Sequence, residues 1–75
     1  MTVSIQLFVE DKFVSESVAV STINAARADL RKVKNEFVAN GLTILEDTPN
    51  RLEIVNRSGL RHRFQIVKYF TKEPL

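Results

Sequence analysis

The chain has 75 residues, a formal net charge of +2, a single histidine and no cysteine. That is the length of one domain, residues 1–75, and it excludes disulfides and thiolate metal sites, while one histidine without clustered carboxylates is no zinc site. A chain this short buries only roughly 60% of the surface it exposes unfolded, so its stability must come from one well-packed core or from oligomerisation.

The opening residues MTVSIQLFVE carry no basic start and no long apolar run, so they do not read as a signal peptide. Uninterrupted apolar runs such as Leu7-Phe8-Val9 and Phe37-Val38-Ala39 are far below the ~20 residues of a membrane helix. The expectation is a soluble, cytoplasmic protein with no membrane partner. Charge is unevenly spread. Residues 1–50 hold five Lys/Arg against seven Asp/Glu, a net −2, and residues 51–75 hold six against two, a net +4.

Val3, Ile5, Leu7 and Val9 alternate with Ser4, Gln6 and Phe8, the period of a half-buried strand. A turn at Glu10-Asp11-Lys12 leads to a second strand over Phe13 to Val20. With Asp11 and Lys12 as the turn, Val9 faces Val14, Leu7 faces Glu16, Ile5 faces Val18 and Val3 faces Val20. Three of these pairs are apolar, and Glu16 is the misfit. The stretch STINAARADLRKVKNEFVANG predicts a helix. Ser21 or Thr22 can cap its start, and Ile23, Ala26, Leu30, Val33 and Phe37 form one stripe at steps of three and four. Gly41 ends it. Arg31, Lys32, Lys34, Asn35 and Glu36 lie on the opposite face.

Three strands are expected next. Leu42 to Glu46 ends in a DTPN turn in which Pro49 supplies a fixed φ, and Arg51 to Asn56 points Leu52 and Ile54 inward. Leu60 to Phe70 points Phe64, Ile66 and Phe70 inward, and the tail TKEPL frays. A three-residue loop, Arg57-Ser58-Gly59, joins the last two strands. It pairs Leu52 with Phe64, Ile54 with His62 and Glu53 with Arg63, and sets Gly59 where such loops need a left-handed residue. The fold class is therefore α+β, a two-layer ββαβββ arrangement. One helix packs on a mainly antiparallel five-stranded sheet, with the longest strand central and strands two and three parallel across a helical crossover.

Little here carries chemistry. Ser58 and His62 are close in sequence, but both fall at a hairpin tip with no acid to orient the imidazole, so His62 reads as a rim residue opposite Ile54. Glu16 is either an acid of raised pKa on an apolar face or, more simply, an edge residue that reaches water. The pairs Glu10-Asp11 and Glu46-Asp47 fall in turns at opposite ends of the sheet and do not share a metal. With two glycines in all there is no P-loop and no GxGxxG. No enzyme, cofactor or metal is expected.

The face of the sheet turned away from the helix is more informative. It is expected to hold Gln6, Phe8, Thr43, Leu45, Arg51, Glu53, Val55, Arg57, Arg61, Arg63, Gln65, Val67 and Tyr69. Aromatics and arginine are the types enriched at protein interfaces. The leading expectation is a non-enzymatic interaction or accessory module, a homo-oligomer or a protein's partner, docking through Phe8, Leu45, Val55, Val67 and Tyr69. Arg51, Arg57, Arg61 and Arg63 form its rim. The alternative is a nucleic-acid binder that stacks bases on Phe8 or Tyr69 and uses the same four arginines, in the basic C-terminal hairpin, on phosphates.

Overall fold

The computed structural model describes residues 2–17 and 20–69. Two strands, β1 (Thr2–Val9) and β2 (Lys12–Glu16), precede the helix α1 (Ile23–Ala39). Three follow it, β3 (Thr43–Thr48), β4 (Arg51–Val55) and β5 (Arg61–Tyr69). The strands form one sheet in the order β2-β1-β5-β4-β3, and every neighbouring pair is antiparallel. The longest strand, β5, is central. β2 and β3 run in the same direction at opposite edges, so α1 carries the chain across the whole width of the sheet.

The helix forms where its capping signals stand. Thr22 is the N-cap, and its hydroxyl accepts from the Ala25 N–H at 3.2 Å. At the other end Gly41 has φ +76°, its N–H reaches the Val38 carbonyl, and the Leu42 N–H reaches the Phe37 carbonyl at 3.0 Å. That is a Schellman motif. Its hydrophobic closure is present too, because Leu42 and Phe37 both pack against the core. Ala26 and Leu30 are buried. With Leu52 and Ile54 of β4, Leu30 makes the core cluster, against which Ile5, Val33, Phe37, Ile44, Phe64 and Ile66 pack.

The last hairpin has the expected register: Leu52 pairs with Phe64, Glu53 with Arg63 and Ile54 with His62. Gly59 has φ +84°. The Asn56 side chain builds the loop, because its Oδ1 accepts from the N–H groups of Ser58 and Leu60, both at 2.9 Å.

The first hairpin departs from expectation. Its two turn residues are Glu10 and Asp11, both left-handed at φ 49° and 66°, rather than Asp11 and Lys12. A two-residue loop with positive φ at both positions matches the twist of its strands, and the backbone gain outweighs the strain on a glutamate. Val9 accordingly pairs with Lys12 and Phe8 with Phe13. A bulge then inserts Val14, so Leu7 meets Ser15 and Gln6 meets Glu16. The expected pairs Val9–Val14 and Leu7–Glu16 do not form. The pair Val3–Val20 does form, as an isolated bridge, and Val18 lies outside the described residues. The strand ends at Glu16, not at Val20.

β3 also differs. It runs through Glu46 and Asp47 to Thr48, so these two acids stand in a strand and not in a turn, and the loop is Pro49-Asn50. A bulge between Ile44 and Glu46 leaves Leu45 as the extra residue. Both edge strands thus carry a bulge, a feature that hinders edge-to-edge pairing with another sheet. The expected inward residue Phe70 and the tail lie outside the described residues.

Candidate interaction face

Alternation along the strands separates two faces. Against α1 lie Val3, Ile5, Leu52, Ile54, Phe64 and Ile66. On the other face the sheet is uncovered among the described residues, and its side chains stand in cross-strand rows. One row runs Glu16, Gln6, Gln65, Arg51, Thr48, and the next Phe13, Phe8, Arg63, Glu53, Glu46. Beyond them stand Arg61, Val55 and Thr43 at one end, and Val67 and Tyr69 at the other.

Of the expected docking residues, Phe8, Val55, Val67 and Tyr69 are therefore on one side of the sheet, but in separate places. Phe8 is half-buried and meets Phe13 edge to face, ring centroids 5.8 Å apart. Val67 and Tyr69 lie beyond the Gln6–Gln65 row. Val55 stands toward the opposite end, beside Arg61 and Thr43. Leu45, 51% exposed, sits in the β3 bulge at the far edge. Phe13 was not among the expected docking residues, although at 57% exposure it is the most exposed large apolar residue described. Its alternation with Val14 was the signal that placed it here.

The four arginines are already engaged. Arg63 Nη1 donates to Asp11 Oδ1 at 2.7 Å, and its guanidinium lies over the Phe8 ring, 4.7 Å from the centroid. Arg61 reaches three acids: Asp11 at 3.3 Å, Glu53 at 3.8 Å and Glu10 at 3.9 Å. Its backbone N–H donates to Glu10 Oε1 at 2.7 Å. Arg51 Nε is 3.4 Å from Glu46, a charge contact without the alignment of a hydrogen bond. Arg57 donates to the carbonyl of Asn40 at the end of the helix, at 3.4 Å. Because β1 pairs with β5, the Glu10-Asp11 turn stands beside the start of β5, and its two carboxylates offset the charges of Arg61 and Arg63. Each such surface pair contributes only ~0–1 kcal/mol, so the consequence is for the local field rather than for stability.

At the β2 edge, Glu16 Oε1 accepts from the Ser4 hydroxyl at 2.5 Å and from the Tyr69 hydroxyl at 2.6 Å, and the Gln6 amide donates to Tyr69 at 3.1 Å. The Ser4 bond first, then the Tyr69 bond, hold the Glu16 carboxyl below its ordinary 4.5, against desolvation. Glu16 is thus an exposed edge acid, and its pKa is lowered, not raised. The same bond to Glu16 pushes the Tyr69 hydroxyl above its ordinary 10.0. For a lowered carboxyl the stabilisation is present above the unfolded value and disappears as pH falls through the folded one. We expect the stability gap between the parent and Glu16→Gln to be constant near neutrality and to shrink below pH 4.5. Thermal unfolding across that range checks it, and a gap unchanged in acid contradicts it.

His62 is half-buried on the helix side opposite Ile54, and its Nδ1 lies 3.4 Å from the Leu60 carbonyl. Ser58 is exposed at the loop tip. Among the described residues no three His, Cys, Asp or Glu side chains are placed to hold a metal, and no helix is long and apolar enough to cross a membrane. Among the described residues, hollows open on the helix side. Because α1 touches β1, β3, β4 and β5 but not β2, an apolar groove of about 430 Å³ lies beside β2, lined chiefly by Ile5, Leu7, Val20, Val33 and Phe64. A second hollow lies between α1 and the β3–β4 loop. No family model, no curated protein and no solved structure matches the chain.

Proposed function

We propose that the chain is a non-enzymatic protein-interaction module that docks through the uncovered face of its sheet. The strongest part of that face is its β1–β2 side, where Arg63 lies over Phe8 and Phe8 meets Phe13. The observation that carries the reading is the pairing of Arg61 and Arg63 with Glu10, Asp11 and Glu53 beside the half-buried Phe8 ring and the exposed Phe13 ring. Internally neutralised arginines over aromatic surface suit a protein interface, where such side chains are desolvated against a partner. Tyr69, 43% exposed, and the partly exposed Val67 extend the surface along β5. A second copy of the chain is one such partner. Its contact would be face to face, since bulges blunt both edge strands.

A nucleic-acid binder would instead need Arg51, Arg57, Arg61 and Arg63 free for phosphate. Three of them face carboxylates within 4 Å, so each phosphate contact must first displace an internal anion. The experiment that separates the two is size-exclusion chromatography with light scattering, run with and without a mixed nucleic-acid pool. It is repeated for a Phe13→Ser/Val67→Lys variant and for a control changed on the helix at Lys32→Ala. The docking reading expects self-association, or co-elution with a protein partner from the host extract, that the face variant loses and the control keeps. It also expects no nucleic-acid co-elution. Co-elution whose log affinity falls with log salt at a slope near ~−3, the value for three phosphate contacts at ~0.9 each, would favour the alternative.

A further inference from the structure

The hollow between the middle of α1 and the β3–β4 loop is a cleft of about 260 Å³. Its floor is the buried pair Leu30 and Leu52, its wall Thr48 and Pro49, and its rim Arg27, Arg31 and Lys34. The three cations follow one another at steps of four and three, so they share one side of the helix. On α1, each has charged neighbours of positive sign alone at the interacting distances of three and four residues. For Arg27 the neighbour is Arg31, for Arg31 it is Arg27 and Lys34, and for Lys34 it is Arg31. Such like-charge spacing destabilises a helix unless an anion offsets it. The fold supplies one carboxylate, Asp47 of β3, and it is engaged by Lys34. Arg27 commits its Nε to Asn50 Oδ1 at 2.8 Å, which fixes the plane of the guanidinium and leaves its terminal nitrogens for a ligand. Among the described residues the Arg31 side chain makes no ion pair or hydrogen bond. The ionised lining sums to a net +2, three cations and one acid.

We propose that this cleft binds a small organic phosphate. Two guanidiniums one helical turn apart suit the divergent oxygens of a phosphate monoester, and guanidinium forks bind such oxygens in pairs. A monoester carries about −1.5 to −2 at neutral pH, which matches the net charge of the lining, whereas a single carboxylate would leave it positive. The floor of Leu30 and Leu52, with Pro49 of the wall, gives the organic part an apolar seat. The volume lies just under the ~300–1,000 Å³ of ordinary small-molecule sites, so the ligand is compact, a phosphate on one ring or a short chain. The site lies across the sheet from the docking face and does not depend on it.

The test is a 1H–15N titration of the whole chain with phenyl phosphate, with inorganic phosphate and phenol as comparison probes. Phenyl phosphate is expected to give saturable shifts at Arg27, Leu30, Arg31, Asp47 and Thr48. Inorganic phosphate should bind at the same amides more weakly, and phenol should not bind. Arg31→Ala, and Arg31→Gln as a second variant at this exposed position, should weaken binding roughly tenfold or more, the scale of a lost charged hydrogen bond. Lys32→Ala, on the same helix outside the cleft, should leave it unchanged. Absence of saturation with phenyl phosphate, equal binding of phenol, or equal loss in the Lys32 variant would each overturn the proposal.

Discussion

Truncating Leu30 to alanine should cost ~2–5 kcal/mol, the range for deleting a buried leucine and leaving part of its cavity. Leu30 is 4% exposed and touches Leu52 and Ile54 at the centre of the core. A domain of this length is stable by roughly 4–11 kcal/mol, at ~0.05–0.15 kcal/mol per residue. One such truncation therefore removes a large part of the total. Phe37→Ala should follow it with a smaller loss. Its ring meets Phe64 at 5.7 Å between centroids but is only half-buried. Val38, next along the helix and 54% exposed, is the control, expected to change stability by less than ~0.5 kcal/mol when cut to alanine. Urea unfolding of the three variants checks the order. If Leu30→Ala and Phe37→Ala unfold like the parent, the helix does not press this stripe on the sheet.

The second large effect is a backbone effect. Gly59 holds φ +84° in the last hairpin, and a Cβ built there meets nothing within 4 Å. Substitution thus creates no clash, and its cost is the strain of the left-handed conformation alone. Valine at this position should cost roughly 1–3 kcal/mol, because a β-branched residue resists positive φ. Alanine should cost less, at ~1–2 kcal/mol, and asparagine least, since its short amide tolerates the conformation. The expected order of melting temperatures is Gly, Asn, Ala, Val. An unchanged melting temperature for Gly59→Val would contradict the three-residue loop.

The contrast between the two hairpins explains what the sequence makes readable. In the last one, glycine sits at the left-handed position, and pairing Leu52 with Phe64 satisfies both the turn and the apolar pattern. In the first, no glycine marks the turn. The left-handed residues are Glu10 and Asp11, and the bulge at Val14 then moves the register by one residue. A uniform register could satisfy Val3–Val20 only by misplacing Glu16, and the misfit acid was the visible trace of the bulge. The bulge at Leu45 hid in the same way, because alternation alone assigns Glu46 to the wrong face. The helix was readable from end to end, since Thr22, the apolar stripe and Gly41 agree.

The candidate face was readable in composition and not in wiring. Alternation placed Phe8, Val55, Val67, Tyr69, Arg51, Arg61 and Arg63 on one side, whereas Arg57, expected with them, lies in the loop and reaches the end of the helix. What brings Glu10 and Asp11 to Arg61 and Arg63 is the pairing of β1 with β5, more than fifty residues apart in sequence. Local pattern does not specify strand order, so four arginines that look free in the sequence are partnered in the fold. The cleft at Arg27, Arg31 and Lys34 has the same origin. Its cations are visible on the helix, but its far wall comes from the β3–β4 loop.

The most direct test of the docking face is hydroxyl-radical footprinting of the chain alone and in the assembly isolated from its host. Oxidation is read at Phe8, Phe13 and Tyr69, with the exposed helix residue Val38 as the reference. Phe13 and Tyr69 are expected to be oxidised readily in the isolated chain and protected in the assembly, while Val38 is unchanged. Equal oxidation of Phe13 and Tyr69 in both states, or protection confined to the helix side at Val38, would contradict it.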